Sequence, residues 1–173
     1  MQTLFAQTSK CKTDFYFHYS ISGLGSGVGI LMPTIKIHKT KLVYTKEQNS
    51  YYGKRSKNPE FICSASIRQS SIDSILLLIS GLEDSMIYKT NPCIMSGSVT
   101  YVTIAYGKDT TKFTLHNTSD YIVIKIVDII NTYLPEDKKL YESIENIRSE
   151  VECWTSLREN ADKQKADSIK VKQ

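Results

Sequence analysis

No apolar run in this chain is long enough to cross a bilayer as a helix. The best candidates, residues 121–127 and 76–79, fall far short of the roughly 18–20 residues a span requires. The four cysteines form no Cys-x-x-Cys pair and have no histidine pair nearby, which removes the usual zinc spacings. A strong excess of charge is missing too. The 22 basic and 18 acidic residues leave a net +4, mild for a surface built to neutralise phosphates. The glycine run at residues 22–29 has glycine at every second position from Gly23, but not the Gly-x-Gly-x-x-Gly spacing. It leads into Pro33 and a strand, whereas a phosphate cradle needs a helix N-terminus. Ser26 sits between glycines one residue too close for a nucleophile elbow. No catalytic residue, metal ligand or cofactor is therefore assigned.

What the chain does have is a repeated pattern of alternation followed by helical spacing. Residues 99–106 and 112–115 alternate as strands around the turn Gly107-Lys108-Asp109, and a helix-type run from Asp120 stops at Pro135. An earlier copy places strands at 34–37 and 41–44 around a short Lys/Thr turn. A long polar loop, a strand at 61–67 and a helix over 71–82 follow. Phe15, Phe17, Tyr19 and Ile21 form one face of a first strand. Two strand-strand-helix units predict an α+β fold: a mostly antiparallel sheet of about six strands, with helices on one face and a C-terminal helix. A single domain over 13–157 is expected, between an N-terminal segment 1–12 and a charged tail or frayed helix 158–173.

Local signals refine these elements. Ser70, with Asp73 three residues on, reads as the N-cap of the first helix, and Gly81 as its left-handed C-terminal residue. Ile72, Ile75, Leu76 and Ile79 share one face of that helix. The second helix keeps only a narrow polar stripe at Lys125, Asp128 and Asn131, so it should be largely buried. Phe61, Cys63, Ala65 and Ile67 alternate onto the core face of their strand. Leu140, Ile144, Ile147, Val151 and Trp154 recur at spacings of four and three in a third helix. That stripe is expected to pack on its own domain, with a dimer or partner seam as the alternative.

Residues 3–7 resemble the end of a secretory signal that lacks its basic and long apolar parts, which places the protein outside the cytoplasm, periplasmic or secreted. An ordinary frayed terminus would leave it cytoplasmic. In the exported case Cys11, Cys63, Cys93 and Cys153 allow two disulfides in three connectivities; in a reducing compartment they are small buried hydrophobes.

Eleven tyrosines against one tryptophan and five phenylalanines point toward recognition. The basic-aromatic stretch from Lys36 to Lys57 contains Tyr44, Tyr51, Tyr52, Lys54 and Arg55, with Glu47 its only acid. These five residues are the expected partner contacts, and the glycine loop at Gly25 and Gly27 is a secondary one. A non-enzymatic binding protein, inhibitor-like or immunity-protein-like, is the function this composition favours, with a protein as partner. The alternative is a nucleic-acid-binding module using residues 36–57. The third reading is an enzyme whose site gathers His18, His38 and His116 from their strands.

Overall fold

The computed structural model describes residues 14–23, 32–47, 59–94 and 97–170, which form an α+β fold. In chain order the elements are β1 (Phe15–Gly23), β2 (Met32–His38), β3 (Lys41–Glu47), β4 (Glu60–Ser66), α1 (Gln69–Ile79), β5 (Met86–Thr90), β6 (Ser98–Tyr106), β7 (Asp109–His116), α2 (Tyr121–Asn131) and α3 (Ile144–Lys170). The strands make one seven-stranded sheet in the order β4-β3-β2-β1-β6-β7-β5. Every neighbouring pair is antiparallel except β5 with β7. The count is seven where the sequence suggested about six. The unforeseen strand is β5, a five-residue edge strand that arrives parallel after α1.

β1 is the central strand, paired with β2 on one side and along its whole length with β6 on the other. Its two-residue period buries Phe15, Phe17 and Tyr19 on one face, where they meet Ile35, Ile37, Leu42, Val102, Ile104, Phe113 and Leu115 from neighbouring strands. The helices close this face: α1 contributes Ile72 and Ile75, and α2 contributes Val123, Ile126, Val127 and Ile130. The two hairpin turns each put one residue in left-handed backbone, Lys39 at φ 57° and Gly107 at φ 61°. Glycine carries no penalty there, which is why the Gly107 turn is the more legible of the two.

Asp120 caps α2 as its position suggests. One carboxylate oxygen accepts from the Ile122 amide at 2.8 Å, and the other meets Lys89 Nζ of β5 at 2.6 Å. The start of α1 differs from expectation. Its N-cap is Arg68, with no side-chain cap, so Ser70 lies inside the first turn, where its carbonyl accepts from Ser74 Oγ. The Tyr133 hydroxyl from beyond α2 takes over part of this work, accepting from the Arg68 amide at 3.2 Å and bonding Ser71 Oγ at 2.7 Å. The helix ends at Ser80 in right-handed backbone, and Gly81 does not take the left-handed position.

β4 departs from strict alternation. Tyr44 pairs with Cys63 but Thr45 pairs with Phe61, so Ile62 is an extra residue. The bulge reverses the facing of what precedes it. Cys63 and Ala65 are half-buried against the core, Ile62 joins them, and Phe61 turns outward, 63% exposed.

This contrast sets a test. Phe17→Ala should cost about 3–5 kcal/mol by emptying the centre of the core. Phe61→Ala should stay within about 0.5 kcal/mol, as an exposed site does. Urea unfolding of both variants measures the difference; equal costs would mean that the bulge does not turn Phe61 outward.

Candidate functional site

The strand register determines which strand ends lie together. Gly23 at the end of β1, Met32 at the start of β2, Glu47 at the end of β3 and Glu60 at the start of β4 all lie at one end of the sheet. Ser98 and His116 mark the same end in β6 and β7. The chain enters α2 from this end, through Ser119 and Asp120, and begins α3 here. α2 ends at Asn131 with Thr132 as its C-cap, short of the Pro135 stop expected from sequence, and the Asn131 side chain holds the returning segment through two bonds with Leu140, donating to its carbonyl at 2.9 Å and accepting from its amide at 2.8 Å.

Glu142 then reaches the sheet. Its Oε1 accepts from the Tyr19 hydroxyl at 2.8 Å and from Thr100 Oγ1 at 3.4 Å, and its Oε2 accepts from Ser119 Oγ at 2.6 Å. Burial pushes the Tyr19 hydroxyl far above its ordinary value of 10.0, and the adjacent Glu142 carboxylate drives it further. Tyr19 is therefore a permanent donor to this carboxylate across the neutral range. A cleft of about 240 Å³ opens beside the cluster, lined by Ser98, Thr100, Asn117, Tyr141, Glu142 and Asn146 among others. Gly97 stands at its wall, where any Cβ would overlap the Asn117 carboxamide, itself held by the Ile94 carbonyl at 3.0 Å.

The first turns of α3 dock on the same end. Ser143 Oγ accepts from the Glu145 amide at 3.1 Å in the manner of an N-cap. Asn91 Nδ2 donates to Ser149 Oγ at 3.1 Å, Thr118 Oγ1 donates to Glu150 Oε2 at 2.6 Å, and Cys93 is disulfide-bonded to Cys153. Past Cys153 the helix leaves the body, and residues 154–165 are all exposed. Of the expected α3 stripe, Leu140 and Ile147 pack inward. Ile144, Val151 and Trp154 do not; Val151 is 58% and Trp154 42% exposed. Val151, Trp154, Thr155 and Arg158 line an open cleft of about 380 Å³.

The residues singled out from sequence are distributed unevenly. Tyr44 is a core side chain, 5% exposed, because it shares the inner face of β3 with Leu42; it is not a surface contact. Tyr51, Tyr52, Lys54, Arg55, Gly25 and Gly27 lie outside the described residues, as do residues 3–7 and Cys11. Lys36 is paired within the fold, its Nζ donating to Glu47 Oε1 at 2.8 Å, while Thr45 Oγ1 donates to the same oxygen at 3.0 Å. Burial works to raise the Glu47 carboxyl, but these two bonds and the Lys36 charge hold it below its ordinary value.

The histidines do not converge. His18 and His38 are diagonal neighbours on the outer sheet face. His116 is two strands from β1, opposite Val99, with its Nδ1 3.3 Å from Thr90 Oγ1. Among the described residues no group of three or more His, Cys, Asp or Glu side chains is placed to hold a metal. Burial pushes the free Cys63 thiol up, away from the range of a reactive nucleophile. Sequence reasoning missed Glu142 and Ser119. The available signal was Tyr19 itself, a tyrosine on a core face whose hydroxyl needs a partner.

Compared with known proteins, the chain matches no family model and no curated protein.

Because the folded state raises the Tyr19 value, the sign is fixed. Stability is fully present below about pH 10, where the unfolded tyrosine is still protonated, and falls as pH rises above it. Tyr19→Phe should cost about 1–3 kcal/mol near neutrality, since Glu142 loses its best donor. The variant should also lose less stability than the wild type between about pH 9 and about pH 11. Urea midpoints across that range test the pair; parallel pH profiles would contradict the buried hydroxyl–carboxylate contact.

Proposed function

We propose that this is a non-enzymatic binding protein that docks a protein partner, in the manner of an inhibitor or immunity protein. One observation carries the reading. α3 runs 27 residues, about 40 Å, yet among its described side chains those from Trp154 to Lys165 are all exposed, and Val151, Trp154 and Leu157 put apolar surface in water. A helix unsupported by packing is marginal in water, and an exposed tryptophan beside an arginine is the composition of an interface anchor. The strand ends that flank residues 24–31 and 48–58, where Gly25, Gly27, Tyr51, Tyr52, Lys54 and Arg55 occur in the sequence, lie at the end of the sheet on which α3 docks. The same seam could receive the α3 of a second copy, through Ile144, Val151 and Trp154.

A protein is favoured over nucleic acid because Lys36, the first cation of the basic segment, is already committed to Glu47. The Cys93–Cys153 bond fits an exported protein in an oxidising compartment.

Affinity recovery from the native source, with and without nuclease, tests the proposal. A stoichiometric protein should survive nuclease, and Trp154→Ala should weaken its binding by about 2 kcal/mol or more. Recovery that vanishes with nuclease, and that falls steeply with added salt, would establish the nucleic-acid reading instead. A self-associating chain whose mass falls to that of a monomer on Trp154→Ala would identify the partner as a second copy.

A further inference from the structure

The attachment of α3 has an unusual composition. α2 is held to the sheet by four buried aliphatic side chains, whereas among the described residues of α3 the buried side chains are Ile147 and Cys153. Polar contacts supply the rest: Asn146 Nδ2 to Ser119 Oγ at 3.4 Å, Ser149 to Asn91, and Glu150 to Thr118. All of these lie before Cys153, and beyond it residues 154–165 are exposed. The disulfide is thus the last of these fastenings along the helix. Its two halves differ in access. Cys93 sits exposed on the loop after β5, while Cys153 is 5% exposed beneath the helix.

We propose that the Cys93–Cys153 disulfide is a reducible latch, opened by a dithiol reductant to free α3 from a sheet that stays folded. The attacking thiolate forms a bond to the exposed Cys93 sulfur, and the Cys153 sulfur leaves with the electron pair and takes up a proton. The second thiol of the reductant then displaces Cys93 from the mixed disulfide, so the reductant ends as a disulfide and the protein as two thiols. Accessible disulfides are the ones that exchange, and this one joins a loop to a helix without crossing the sheet core. With the bond open, three polar contacts and one isoleucine are left to hold the first turns of the helix, and opening propagates inward from its exposed end. The latch is independent of what α3 binds.

Hydrogen exchange on the full chain, with and without dithiothreitol, tests it, with mass spectrometry following the Cys93–Cys153 linked peptide. On reduction the linked peptide should disappear and amides of residues 146–165 should exchange about ten-fold faster or more, while those of 98–116 remain as protected as before. Cys153→Ser should show the same pattern without reductant, and Cys63→Ser should respond as the wild type does. Three results would overturn the latch. The linked peptide could survive dithiothreitol in the folded protein, α3 could exchange unchanged after reduction, or the sheet amides could open together with the helix. The last would make the bond a staple of the whole fold.

Discussion

Burial of three aromatic rings on one face of the central strand is the constraint from which the rest of the fold follows. Phe15, Phe17 and Tyr19 leave β1 on the same side, and β1 is the only strand joining the β2–β3–β4 half of the sheet to the β6–β7–β5 half. Both halves therefore take their inner face from it, and α1 and α2 have one side on which to lie. Tyr19 extends this control beyond the core. Its ring belongs to the hydrophobic layer and its hydroxyl to the Glu142 cluster, so the origin of α3 is referenced to the middle of the sheet.

The molecule combines two modes of attachment. α1 and α2 are held by area, through Ile and Val faces that no water reaches. α3 is held by direction, through a carboxylate met by hydroxyl donors, a few side-chain bonds and one covalent link. Directional contacts fix orientation with little buried surface, which suits an element whose remaining length is presented outward. The outer sheet face, with Tyr16, Tyr88 and Tyr101 exposed, is a second and flatter surface.

Much of the fold was legible because it is local. The β6–β7–α2 unit contains its own turn glycine, its own cap at Asp120 and an uninterrupted period, so its elements follow from neighbouring residues alone. β5 was not legible: five residues pairing in parallel with a strand more than twenty positions later leave no local signature. Phe61 follows the alternation of its segment perfectly on paper. The bulge that turns it out depends on β3, which the segment itself does not contain. The site divides in the same way. The exposure of Trp154 could not be told from burial by spacing, because a stripe at three and four looks the same whether or not a body lies against it. The Tyr19–Glu142 contact spans 123 positions and exists only in the folded chain.

The bulge in β4 has a consequence outside the monomer. A sheet of this width ends in two edge strands, and a long, regular edge is a template on which strands of other chains can add. Along β4 the register breaks between Cys63 and Phe61, so a straight incoming strand cannot match its pleat from end to end. The opposite edge offers only the five residues of β5. Neither side gives a growing ladder a continuous footing, and the same irregularity that misdirects a reading of the sequence guards the protein against polymerising through its own sheet.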